Sequence, residues 1–202
     1  LQKEKPKPAS AEFVSALGGM LRDPSLDKAF KAEAMLLPSE EYLGNQMTKV
    51  DVAAIHQARE NLRQEIAGEL RNDLLKLYHS NKVNRPYRPD PVDAAQRKLK
   101  NGALSYLMAI DEPSVRSLGV SQFENADNMT DSMAALACLV DLDCPEREAA
   151  LRDFYTRWQD DSLVLDKWLS LQAMSSLPGT LSNVKALLDH PMFSLRNPNK
   201  VR

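Results

Sequence analysis

Residues 51–79 read DVAAIHQARENLRQEIAGELRNDLLKLYH, and the spacing of their apolar side chains decides the fold class. Ile55, Leu62, Ile66, Leu70, Leu74 and Tyr78 recur at steps of four or seven residues, which places them in one stripe on a helix. The spacing predicts a single uninterrupted helix over 51–79, about 42 Å long and suited to be a spine for other helices. Gly68 at its middle costs about 1 kcal/mol relative to alanine. Glu65, Glu69 and Asp73 set like charges four apart, a pattern of a solvated face or of one that meets basic groups elsewhere.

The same period extends outward in both directions. Phe13, Leu17 and Leu21, then Leu26, Phe30 and Leu37, form earlier stripes, and Val92, Ala95, Leu99, Tyr106 and Ile110 a later one. Residues 128–140 are apolar nearly all round and belong in the middle of a stack, where Ala134, Ala135 and Ala137 would admit another helix closely. Ala150, Leu151, Phe154, Tyr155 and Trp158 give an inner face, with Glu148/Arg152 and Asp153/Arg157 paired outside. A second tryptophan helix (Leu165, Trp168, Leu169, Gln172) is expected to end at Pro178-Gly179, and the aromatic groups Trp158, Trp168 and Phe193 to pack in the core.

Helix starts are marked by a polar residue before proline: Asp23-Pro24, Asp90-Pro91 and Asn197-Pro198, with Glu112-Pro113 and Cys144-Pro145 weaker. Asn128 with Asp131, and Thr180 with Asn183, read as further caps. About nine or ten helices result, and no period-two alternation supports strands. The expected fold is all-α, a superhelical, α-solenoid-like array of antiparallel helix pairs. It forms one domain over 1–202, with the proline-containing segment 81–90 as an internal hinge. The chain opens on Leu1 in polar sequence and stops just after a helix is signalled at Asn197-Pro198, so the domain is expected to be incomplete at its C-terminus.

Hydrophobic residues at 43%, charged residues at 27% and a net charge of −2 describe a globular chain with no overall pull towards nucleic acid or anionic lipid. The basic cluster Arg85, Arg88, Arg97, Lys98 and Lys100 could contact phosphate but reads as a solvated face. No run approaches the roughly 18 apolar residues of a membrane helix, and the first residues lack a signal peptide's apolar core. A soluble, cytoplasmic protein is expected, organellar if the source is a plant or alga. Cys138 and Cys144 are then free thiols, Cys138 packed. His56, His79 and His190 stand far apart with no metal-ligand spacing; His79 suits a helix C-terminus and His190 a helix end. The H-E-x-x-H, P-loop, G-x-G-x-x-G and G-x-S-x-G motifs are all missing. No metal site or catalytic residue is expected on this chain.

Four ordered segments carry a resemblance. Asn128-Met129-Thr130-Asp131 precedes an alanine-rich helix, and Trp158 is followed by Asp166-Lys167-Trp168. Leu187-Leu188-Asp189-His190-Pro191-Met192-Phe193 and Asn197-Pro198-Asn199-Lys200-Val201-Arg202 complete the set. In order and spacing they resemble the C-terminal helical domain of the aminopeptidase N family, the bacterial and plant type of zinc-dependent gluzincin aminopeptidase. The resemblance is strongest over 91–202 and continues weakly back through Ala34-Met35-Leu36-Leu37-Pro38-Ser39. It implies a parent enzyme that removes N-terminal amino acids from peptides, with zinc, general base and G-A-M-E-N loop all outside this segment. The segment itself would be the non-catalytic superhelix that caps the catalytic domain, encloses the active-site cavity and limits access to short peptides. Its implied partners are that catalytic domain and the peptides, with no nucleic acid and no membrane. The resemblance also implies that Arg202 lies towards the inner cavity, meeting a substrate carboxylate or making an interdomain salt bridge. The alternative reading of the array is a free-standing α-solenoid scaffold that binds another protein along its concave face.

Overall fold

The computed structural model describes residues 11–201, apart from the side chain of Asn199, and these form twelve helices and no strand. The first five are α1 (Ala11–Arg22), α2 (Lys28–Ala34), α3 (Glu40–Asn45), α4 (Val52–Glu69) and α5 (Arg71–Ser80). α6 (Pro91–Met108), α7 (Pro113–Asn125), α8 (Met129–Val140) and α9 (Pro145–Trp158) form the middle. α10 (Ser162–Ala173), α11 (Thr180–Leu187) and the short α12 (Pro198–Val201) follow.

Capping chemistry sets most of the starts. Asp27, Ser39, Asp51, Asp90, Asn128 and Asp161 each accept a first-turn backbone N–H through the side chain. Pro91, Pro113, Pro145 and Pro198 hold first helical positions, where a missing N–H costs nothing. Asp23-Pro24 is a correction to the sequence reading. Asp23 Oδ1 accepts from the Ser25 backbone N–H at 2.8 Å and from its hydroxyl at 2.6 Å, closing a local turn, and Asp27 caps the helix instead. Thr180 is not a cap either: Gly179, at φ 92°, takes that position for α11, and the Thr180 hydroxyl donates back to Leu177 O at 2.8 Å. Pro178-Gly179 therefore opens α11; α10 has already ended at Ala173.

The spine over 51–79 is two helices. Leu70, at φ −103° and ψ 16°, leaves helical geometry between α4 and α5, while Ile55, Ile66, Leu70, Leu74 and Tyr78 all stay buried. α1 packs against this bend. Gly18 carries no Cβ where one would lie 2.8 Å from Leu70 Cδ2, and Arg22 pairs with Asp73 at 2.7 Å, giving that end of the acidic stripe its basic partner.

α6 packs against α2, α4, α5, α7 and α8, and α8 in turn against α7, α9 and α10. Leu99, Ala103, Leu104 and Leu107 of α6 and Leu136 and Leu139 of α8 are sealed from solvent, as is Phe154 of α9. From α6 to α10 each helix packs against its chain neighbours and against the helix after next, the contact pattern of a solenoid. Several expectations about the core change: Phe13 and Val92, placed on apolar stripes by their spacing, are exposed, and Phe193 is only half-buried. Phe30 is exposed while Ala32 and Met35 take the buried positions of α2 and its C-cap; Trp158 lies at the surface; and Trp168 is half-buried, its indole N–H donating to Leu151 O at 2.9 Å. Asp153 pairs with Arg157 as spaced, but Glu148 pairs with Arg147 and not with Arg152.

Candidate functional site

A groove of about 780 Å³ runs between α6 and α8, walled by α4 and by the residues at the end of α2. Met35, Leu36, Leu37, Ala134, Ala137 and Cys138 supply its apolar lining. Ala134 and Ala137 thus border an open channel and not a closely approaching helix, a correction to their expected role. Burial pushes the Cys138 thiol up to about 12, and burial also raises Cys144, so neither is a nucleophile near neutral pH.

Polar side chains on the α6 side are organised by the connection 81–90. Arg85 Nε reaches Asp93 at 3.2 Å and its guanidinium closes an ion pair with that fully buried carboxylate. Tyr87 N–H donates to Asp127 at 3.1 Å, and the Arg97 guanidinium stacks 4.8 Å from the Tyr87 ring centroid. Deeper, Lys100 Nζ and Asn101 Nδ2 donate to Asp131 at 2.6 and 2.9 Å, and Gln122 Nε2 donates to Asn101 Oδ1 at 2.8 Å. Asp131 also closes the Asn128 cap, its backbone N–H donating to Asn128 Oδ1 at 2.9 Å. The basic cluster divides: Arg85, Arg88 and Lys98 are exposed, as a solvated face would be, with Arg85 and Lys98 paired to carboxylates, whereas Arg97 and Lys100 are buried and Lys100 holds Asp131. Sequence spacing places these residues opposite an apolar stripe but carries no signal that a loop folds over that side.

Each histidine has a local role. His56 Nδ1 lies 2.8 Å from Glu40, and His79 is in the last turn of α5. His190, two residues beyond the C-cap of α11, accepts from Met192 N–H at 3.2 Å and stacks edge-on against Tyr155. Among the described residues no three His, Cys, Asp or Glu groups converge as a zinc site requires. None of the described helices is long and apolar enough to cross a membrane. Arg202 lies outside the described residues.

Known proteins agree with this architecture. A family described as "Domain of unknown function (DUF3458_C) ARM repeats" matches residues 1–202. The chain is 36% identical over 202 residues to aminopeptidase N of Escherichia coli (strain K12), covering all of this chain and 23% of that protein. It is 36% identical over 192 residues to aminopeptidase N of Caulobacter vibrioides, covering 94% of this chain and 22% of that one. In structure it is similar to Legionella pneumophila aminopeptidase A, solved in complex with aspartic acid, at TM-score 0.85 and 31% identity over 98% of this chain and 24% of that chain. The chain spans under a quarter of the length of these relatives. With the family match running from first residue to last and helices stacked in repeating pairs, the chain belongs to the DUF3458_C family of ARM-repeat domains.

Proposed function

We propose that this chain is the non-catalytic helical part of a cytoplasmic zinc aminopeptidase, which removes N-terminal amino acids from peptides. The observation that carries the reading is 36% identity to aminopeptidase N along every residue of this chain, although the chain spans only 23% of that protein. In this reading zinc and the reacting groups sit on another part of the same polypeptide. The helical array covers the cavity, and it selects peptides by access and positioning.

Two measurements test it. The coding sequence upstream of Leu1 is expected to encode H-E-x-x-H and G-A-M-E-N, and their absence would return the chain to the free-standing scaffold. In the intact enzyme, Arg202→Ala is expected to raise KM more for tri- and tetrapeptides than for a single-residue anilide, which has no carboxylate to offer. The difference is on the order of 1 kcal/mol for one charge-assisted bond. An equal change for both substrates would make Arg202 an interdomain contact, and no change would remove it from the site.

A further inference from the structure

Asn101-Gly102 is the single Asn-Gly pair of the sequence, and it sits in the interior of α6. The Asn101 amide joins three helices: Nδ2 donates to Asp131 Oδ1 of α8 at 2.9 Å, and Oδ1 accepts from Gln122 Nε2 of α7 at 2.8 Å. Packing does not demand the glycine that follows. A Cβ at Gly102 would lie 3.7 Å from the Met35 thioether, an ordinary contact.

An asparagine before glycine is chemically the most prone to lose its amide. Once hydroxide has taken the Gly102 N–H proton, that nitrogen can attack Asn101 Cγ. The new N–Cγ bond closes a five-membered succinimide, the Cγ–Nδ2 bond breaks, and the side-chain nitrogen leaves as ammonia with a proton from water. Water then opens the ring at either C–N bond, giving aspartate or, with the backbone rerouted through the side chain, isoaspartate. Glycine obstructs the attack least, because it has no Cβ.

The fold does not withhold water from this pair, since Asn101 and Gly102 both line the groove between α6 and α8. It withholds the geometry. Ring closure needs Asn101 ψ far from the helical value of about −42°. Within α6 the Gly102 N–H is directed at the carbonyl four residues back, and the Asn101 amide is held through both its nitrogen and its oxygen. The reaction therefore waits for α6 to open. Afterwards the product does not fit. A carboxylate at 101 puts a second anion where a donor now stands 2.9 Å from Asp131, with Lys100 already paired to that acid. Isoaspartate adds a methylene to the backbone and breaks the helical register.

We propose that Asn101-Gly102 is a deamidation site that the native fold keeps silent, and that the modification, once made during an opening of α6, prevents the junction of α6, α7 and α8 from re-forming. The inference goes beyond the proposed function and does not depend on it, because modification and folding are read on this chain without any catalysis.

The chain is incubated at neutral pH across a guanidinium chloride series that spans its unfolding transition. Conversion at each asparagine is followed by mass spectrometry after peptic digestion in acid, and the unfolded fraction by circular dichroism. In the unfolded chain Asn101 is expected to convert faster than any other asparagine, and Gly102→Ala to slow it at least tenfold. Under native conditions conversion at Asn101 is expected to be at least tenfold slower than in the unfolded chain, and across the series to follow the unfolded fraction. Lys100→Met, which breaks the ion pair beside the amide, should bring conversion on at lower denaturant. Asn101→Asp supplies one product directly and should unfold at lower denaturant than Asn101→Ala, which loses the same two bonds without adding a charge. Where neither variant folds, the conversion rates of the parent chain still decide. Native conversion as fast as unfolded conversion, a rate that ignores the unfolded fraction, or another asparagine outpacing Asn101 in denaturant would each overturn the proposal. So would an Asn101→Asp chain at least as stable as Asn101→Ala, since the product would then be accommodated.

Discussion

Lys100 shows what a single charge does in this array. With Lys100 and Asp131 about nine-tenths buried and 2.6 Å apart, the pair is satisfied only as a unit, Asn101 and Asn128 completing the carboxylate. Lys100→Met leaves Asp131 buried and short of its cation, and is expected to cost about 3 kcal/mol or more in urea unfolding. An exposed pair such as Arg157 with Asp153 should cost under 1 kcal/mol when Arg157→Ala breaks it. Tyr78 gives a pH signature at the same scale. Burial first, and the charge of Asp131 second, push its phenol up to about 12 from an ordinary value of 10.0. The folded chain holds a proton that the unfolded chain releases near pH 10, so this contribution is whole below that pH and is lost as pH rises through about 12. Urea midpoints of the parent chain and Tyr78→Phe should therefore converge or cross between pH 9 and pH 11.5. A constant gap would show that Tyr78 is not the titrating group. Neither residue's role was legible beforehand: Tyr78 reads only as the end of a stripe, and Lys100 as a solvated cation, because the loop and helix that bury them come from elsewhere in the chain.

At the scale of elements, periodicity was the legible part and punctuation the uneven part. The stripe from Ile55 to Tyr78 is buried nearly as spaced, because an apolar face finds a partner whether or not its helix is continuous. The bend at Leu70 was not legible, since it arises where α1 packs against the spine. Proline marks a start at Pro91, Pro113 and Pro145 but not at Pro24, where Ser25 offers Asp23 a nearer partner than a helical N–H. Two glycines near the bend separate local propensity from packing. A Cβ at Gly68 meets nothing within 4 Å, so Gly68→Ala should stabilise the chain by about 0.5–1 kcal/mol through helix propensity alone. A Cβ at Gly18 would come within 2.8 Å of Leu70 Cδ2, so Gly18→Ala sets the same gain against a displaced side chain. Gly18→Ala is expected to be net destabilising, by about 1 kcal/mol, and the two thermal midpoints should move in opposite directions. A rise for both would mean that Leu70 has room to rotate away.

Across the whole molecule, stability should follow the layering of the array and not the sequence order. α6 and α8 are flanked on several sides and carry the most fully buried side chains, whereas α3 and α11 contain no buried residue at all. In a solenoid each unit is held by its own stability and by its neighbours, so a helix with one packed neighbour opens without the rest. α10 is fixed through Leu165 and Leu169 and through the Trp168 bond to α9, and Lys200 reaches back to Asp166 at 2.5 Å. These ties give it an intermediate position. The connection 81–90 is pinned at Arg85, Tyr87 and Arg88, so it should exchange more slowly than its proline-rich sequence suggests. Hydrogen exchange followed by mass spectrometry is expected to rank protection as α6 and α8 first, α5 and α9 next, α10 after them, and α3 and α11 last. Lys100→Met should lower protection in α6 and α8 together, because the ion pair joins them, while leaving α10 and α11 nearly as before. If every helix instead lost protection by the same factor, opening would be global, and the chain would behave as one cooperative globule with no neighbour-by-neighbour hierarchy.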